Sequence, residues 1–164
     1  MKQLLLIRHA KSSWDDPSQN DFDRPLNKRG NKDAPLMAER LSDKKINIDA
    51  FLSSPAKRAL DTCIYFAKEF DVKKKEIIQV DGLYNPQIEN FYKVISEVDN
   101  SHDIIALFSH NPGITEFANE LTSVHIDDMP TCSVFAVKVD IKNWDEFTEG
   151  EKLFWFFEYP KLKE

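Results

Sequence analysis

Three times in its first 113 residues the chain passes from a short apolar stretch into a polar turn and then into the start of a helix. Leu4-Leu5-Leu6-Ile7 leads into Arg8-His9-Ala10-Lys11, and Ile48 to Leu52 leads into Ser53-Ser54-Pro55-Ala56-Lys57-Arg58. The third case is Ile104-Ile105-Ala106-Leu107-Phe108, followed by Ser109-His110-Asn111-Pro112-Gly113. Short apolar runs without alternation suit strands covered on both faces, and strands that alternate with helices build a parallel sheet. In open sheets of this kind ligands bind at the carboxyl ends of the strands. The three polar turns are therefore where a binding site is expected.

The segments between them complete the pattern. Residues 15 to 25 are polar and hold Pro17 and Pro25, which suits a long loop beside the Arg8-His9 turn. Leu26, Ala34, Met37, Ala38 and Leu41 form one apolar face of a helix across Gly30 and Pro35, with Asn27 placed as its N-cap. Pro55 is expected in the first turn of a helix running to about Phe70, capped by Ser53 or Ser54 and carrying Arg58 in that turn. Ile77 to Val80 reads as a brief strand, Ile88 to Val98 as a helix, and Pro112 as the opening of a helix through about Leu121. In the tail, Val134 to Val139 and Leu153 to Phe157 are strand-like runs that suit a long-looped hairpin. The expected fold is α/β and three-layered: a mainly parallel central sheet, helices on both faces, and an antiparallel C-terminal addition. A single domain over residues 1–164 is expected, long enough to bury roughly two-thirds of the surface of its unfolded chain.

Composition narrows the partners. A formal net charge of −6 disfavours a nucleic-acid or acidic-membrane surface, so an anionic ligand must be drawn in by a local cationic pocket. Cys63 and Cys132 lie among apolar residues and read as buried free thiols. His9, His102, His110 and His125 pair neither with the cysteines nor with each other at i, i+4 spacing, so no metal site is expected, and His102 and His125 are assigned no role. The apolar run before Arg8 is too short for a signal peptide, and no run approaches the roughly 20 apolar residues of a membrane span. A cytoplasmic protein is expected.

At the first turn, an imidazole beside a guanidinium offers a nucleophile or base next to a phosphate-sized anion clamp. RHAKSSW at 8 to 14, RPLNKRG at 24 to 30, SSPAKRALDT at 53 to 62 and SHNPG at 109 to 113 carry the comparison further. Together, and in this order, they resemble the histidine phosphatase (phosphoglycerate mutase-like) superfamily, most closely its SixA-type phosphohistidine phosphatase branch. Ala10, where the superfamily most often has Gly, resembles that branch too. The resemblance implies that His9 attacks phosphorus and transiently carries the phosphoryl group, while Arg8, Arg58 and His110 hold its oxygens. It implies no cofactor. Two guanidiniums and an imidazolium are a sufficient counter-charge for a phosphoryl transition state. Among these cations His9 is expected to have a depressed pKa and to be neutral, with its other ring nitrogen held by a partner the sequence does not name. Arg24, through the RPLNKRG match, and Lys11 are further candidates to face the substrate.

Two departures bear on the substrate. Phosphoglycerate mutase-like relatives often have Asn where Asp15 stands, and a carboxylate there argues against a mutase. Phosphomonoesterases of the superfamily usually place a Glu or Asp proton donor after the third strand, where this chain reads Val80-Asp81-Gly82-Leu83-Tyr84. Asp81 is the candidate general acid there, although an Asp before Gly is also a common turn-former. An alkoxide leaving group needs such an acid, whereas the imidazole of phosphohistidine departs without a strong one. With no large inserted cap over the site, the expected substrate is a histidine-phosphorylated protein, such as a phosphotransfer or signalling domain. The rival readings are a small-molecule phosphomonoesterase using Asp81 and a phosphate-recognition module without turnover.

Overall fold

The computed structural model describes residues 1–161. Ten main elements follow in chain order: β1 (Lys2–Arg8), α1 (Lys28–Asp43), β2 (Ala50–Ser53), α2 (Lys57–Glu69), β3 (Ile78–Gln79), α3 (Ile88–Ser96), β4 (Ile104–Ser109), α4 (Gly113–Leu121), β5 (Val134–Val139) and β6 (Lys152–Glu158). The six strands form one sheet in the order β3-β2-β4-β1-β5-β6. β3, β2, β4 and β1 are parallel, and β5 and β6 add an antiparallel hairpin at the β1 side, as the tail pattern suggested.

The apolar run of β1 serves both faces of the sheet, because successive side chains of a strand point to opposite sides. Leu4 and Leu6 join a core with Phe91 and Ile95 of α3 and Phe117 and Leu121 of α4. Leu5 and Ile7 join a second core with Met37 and Leu41 of α1 and Cys63 and Phe66 of α2. Every residue from Leu4 to Ile7 is fully buried, which is why the run shows no polar alternation. Cys63 and Cys132 are buried free thiols, and burial pushes both thiol pKa values up.

Several boundaries moved for identifiable reasons. Asn27 caps α1, its side chain accepting the Gly30 amide. The helix after Pro55 starts at Lys57, and its N-cap, Ala56, makes no side-chain cap bond. Neither serine caps that helix: Ser53 Oγ donates to the Ser54 carbonyl, while Ser54 Oγ accepts the Ala56 amide ahead of the helix and faces His110. The third strand shrinks to Ile78–Gln79 at the sheet edge, and α3 stops at Ser96. The loop of residues 15 to 25 contains one short 3-10 turn, Asp21–Asp23, capped by Asn20. Among the described residues no helix is long and apolar enough to cross a membrane.

Candidate active site

Strand register brings the three turns together. Arg8 pairs with Ser109 across β1 and β4, and Ser53 pairs with Phe108 across β2 and β4, so His9, Ser54 and His110 leave the sheet at nearly one level. Parallel neighbours lie about 4.8 Å apart. The His9 and His110 ring centroids are accordingly 5.1 Å apart.

His9 is nearly buried, and its Nδ1 lies 2.7 Å from the Ala10 carbonyl oxygen. A carbonyl only accepts, so Nδ1 carries the proton and Nε2 keeps its lone pair. This backbone oxygen is the ring partner that the sequence left open. Burial is the main cause that pushes the His9 pKa well below the usual range; the Ala10 contact opposes it, while His110, Arg58 and Arg8 add to it. His9 is therefore neutral at pH 7, through burial first and neighbouring cations second.

Arg58, in the first turn of α2, points Nε at His9 Nε2, 3.3 Å away. Its Nη1 donates to the Asp21 carbonyl at 2.7 Å and its Nη2 to Asp21 Oδ2 at 3.0 Å. The turn after β1 is tied to the same helix, because the Ala10 amide donates to Thr62 Oγ1 and that hydroxyl donates to the Arg58 carbonyl. Arg8 anchors Nη1 on the Met129 carbonyl at 2.7 Å, while its Nε is buried without a hydrogen-bond partner among the described residues.

His110 is 2% exposed and sets Nε2 2.7 Å from Ser54 Oγ, with Nδ1 buried and without a partner among the described residues. Burial, reinforced by Arg58, brings its pKa down to about 3. The expected imidazolium is thus corrected: His110 is a neutral ring, because the cost of burying its charge outweighs the help Asp21 would give.

Arg8, His9, Arg58 and His110 line a cavity of about 210 Å³. Lys11 is exposed at its rim and Arg24 forms part of its wall, donating to Ser12 Oγ and to Asp21 Oδ1 and stacking on Trp14 with its guanidinium carbon 3.6 Å from the ring centroid. Asp81 is not brought to the cavity. It is an exposed member of a 3-10 turn, Asp81–Leu83, and its carbonyl accepts the Tyr84 amide. No Asp or Glu is among the described residues lining the cavity. A larger cavity of about 520 Å³, between β3 and α3, is lined by none of Arg8, His9, Arg58 or His110.

Sequence reasoning missed Asp21, Tyr84 and Ser54. Asp21 accepts from Arg58, Arg24 and, at 2.7 Å, the Tyr84 hydroxyl. Partial burial works to raise its pKa, but the bonds from Tyr84 and Arg58 and the Arg58 charge hold it at about 2. One Asp in a polar loop carries no periodic signal, so the spacing of residues 15 to 25 gave no means of finding it. His125 pairs with Asp127 on the surface, and His102 offers its carbonyl to Lys2 and Trp144, both away from the cavity.

The family model of the histidine phosphatase superfamily (branch 1) matches residues 4–85, half of the 164-residue chain. The chain belongs to this superfamily. Histidine phosphatase relatives of known structure share its architecture: a protein histidine phosphatase SixA complexed with tungstate aligns over 96% of this chain and 97% of its own, with a TM-score of 0.82 and 20% identity. A SixA-type structure from Agrobacterium tumefaciens aligns over 97% of this chain and 98% of its own, with a TM-score of 0.81 and 24% identity. In sequence, an uncharacterized chloroplastic protein of Arabidopsis thaliana is 32% identical over 155 residues, 88% of this chain and 70% of that protein. Phosphoserine phosphatase 1 of Hydrogenobacter thermophilus is 36% identical over 86 residues, 49% of this chain and 40% of that enzyme. The motif-bearing segments RHAKSSW, RPLNKRG and SSPAKRALDT all lie inside the family match.

Proposed function

We propose that this histidine phosphatase removes the phosphoryl group from phosphohistidine on a protein, through a phosphorylated His9. The observation that carries the reading is the convergence of one buried, neutral nucleophile with buried polar nitrogens that have no partner among the described residues. His9 Nε2 presents a lone pair, and in two other residues that line the cavity, Arg8 Nε and His110 Nδ1 are buried without hydrogen-bond partners among the described residues. Buried donors are costly to leave unmet, so a pocket that leaves two of them open is matched to an acceptor-rich ligand. A phosphoryl group supplies such oxygens, and the SixA neighbour holds an oxyanion, tungstate.

The chemistry balances with these groups alone. His9 Nε2 attacks phosphorus as the bond to the substrate imidazole nitrogen breaks, and that electron pair stays with the departing ring, which takes its proton from solvent. Arg58 turns its Nε–H from His9 to an equatorial oxygen, while Arg8 and His110 donate to the others. Water then attacks the phosphoryl group on His9, releasing inorganic phosphate and restoring the neutral ring.

The leaving group follows from what stands near the cavity. Asp21 is ionised at neutral pH, with a pKa held at about 2, and therefore is no proton donor. Asp81 is exposed and outside the lining. With no Asp or Glu among the described residues lining the cavity, a phosphoramidate, whose leaving ring needs no strong acid, suits the site better than an ester. The second reading, a phosphomonoesterase, has the sequence likeness to phosphoserine phosphatase 1 in its favour.

The experiment is phosphate release from a histidine-phosphorylated phosphotransfer domain, from free phosphohistidine and from phosphoserine, with and without chelator. Release from the phosphorylated domain at least about a hundredfold faster than from phosphoserine, unaffected by chelator, is expected. Equal or faster turnover of phosphoserine overturns the substrate assignment in favour of the esterase.

A further inference from the structure

The site depends on which nitrogen of His110 carries its proton, and the groups around Ser54 decide it. Ser54 is fully buried. Its Oγ already accepts the Ala56 amide at 3.2 Å, and its one other hydrogen-bonded neighbour among the described residues is His110 Nε2, at 2.7 Å. A hydroxyl carries a proton that needs an acceptor. The amide is a donor, which leaves Nε2 as the acceptor for that proton.

If Nε2 were instead protonated, the Ser54 hydroxyl would be a buried donor without acceptor, and the unpartnered Nδ1 of this cavity-lining ring would have only a lone pair to offer an incoming anion. Both costs vanish when Ser54 donates to Nε2, because Nδ1 then carries the proton and is left as the ring's free donor. We infer that Ser54 is a positioning residue that fixes His110 as its Nδ1–H tautomer, making it a neutral hydrogen-bond donor to the bound phosphoryl group. The inference rests on the phosphoryl-binding reading of the cavity, and it assigns the SSPAKR serine a task other than helix capping. It also separates the two histidines: each carries its proton on Nδ1, but His9 spends it on the Ala10 backbone and leaves Nε2 to attack, whereas His110 spends Nε2 on Ser54 and leaves Nδ1–H for the ligand.

Imidazole nitrogen spectra of the full chain, labelled with 15N-histidine, read the tautomer directly, free and with inorganic phosphate. The wild type is expected to show His110 protonated at Nδ1 in both states. Protonation at Nε2 in the wild type overturns the inference without recourse to any variant. Ser54→Ala is expected to release Nε2, moving His110 toward the Nε2–H tautomer and weakening inorganic phosphate binding about ten- to a hundredfold, with Ser54→Thr restoring both.

The tautomer shift and its rescue by Ser54→Thr separate this role from packing, because loosened packing would weaken phosphate binding without moving the ring proton. If wild-type His110 shows the Nδ1–H tautomer but phosphohistidine is not hydrolysed, the functional reading fails and the tautomer assignment stands.

Discussion

Arg58 Nε lies 3.3 Å from His9 Nε2, the nitrogen left with its lone pair because Nδ1 donates to the Ala10 carbonyl. The guanidinium disfavours protonation of the nucleophile before the substrate arrives. In the proposed phosphoryl transfer, the same N–H leaves that nitrogen for a phosphoryl oxygen and stabilises the charge that the attack develops.

His9→Ala removes the proposed attacking atom, while the sheet that carries it is held by the backbone pairing of β1 with β4 and β5. Turnover is expected to fall at least about a thousandfold with little change in the unfolding midpoint. Steady-state phosphate release and thermal unfolding, measured on the same preparation, check both halves.

Arg58→Lys keeps the charge but loses the forked donor that reaches His9 Nε2, the Asp21 carbonyl and Asp21 Oδ2 together. Its kcat is expected to stay close to that of Arg58→Ala, each down about a thousandfold, because a point charge on a flexible stem does not reproduce that geometry. Recovery of most activity by Lys would mean that the clamp acts through charge alone.

Asp21 sets a carboxylate 3.0 Å from the Arg58 guanidinium and so competes with any anion for it. Asp21→Asn keeps the size and can still accept from Tyr84, but it removes the negative charge. Inorganic phosphate is expected to inhibit the variant about fivefold more strongly, the scale of one partly solvated charge pair, with the difference shrinking in high salt. Inhibition constants at low and high ionic strength test this.

The sequence made the layers legible because one physical signal dominated them. Leu4 to Ile7 and Ile105 to Phe108 are buried on both faces, and such runs have few alternatives to a central strand. Asn27 was legible as a cap because its side chain does locally what the residue type suggests. Ser54 was misread for the opposite reason: its partner, His110, lies 56 residues away, and local capping rules do not see it. Asp81 matched a chain position expected to hold an acid, yet the turn it starts carries Tyr84 toward Asp21 and leaves Asp81 exposed. The charge of His110 depended on burial, which no motif encodes.

Acid should loosen the fold at the site. His9 and His110 are neutral and buried in the native state, with pKa values below the ordinary 6.5, so the unfolded chain binds more protons as pH falls below that value. Their contribution to stability is complete above about pH 6.5 and is lost progressively on acidification, by about 1–2 kcal/mol for each ring between pH 7 and pH 5. Urea midpoints across that range, for wild type and for His110→Gln, test the slope, which the variant should flatten.

Gly30 fixes the approach of α1 to the nucleophile's turn, since a Cβ there would collide with the Lys11 carbonyl oxygen. The same oxygen accepts the Asn27 amide. Gly30→Ala is expected to cost about 1–3 kcal/mol and to lower kcat by displacing the segment after His9. Thermal unfolding together with activity at a temperature where the variant is folded would show both effects.

The central claim is covalent: the phosphoryl group passes through His9. Wild type mixed with a histidine-phosphorylated phosphotransfer domain, quenched within one turnover under alkaline conditions and digested, should yield a peptide containing His9 with one phosphoryl mass increment. That adduct should vanish in His9→Ala and decay at a rate no slower than turnover. Substrate hydrolysis with no phosphoryl group on His9 at any quench time, or an adduct on another residue, would contradict the account.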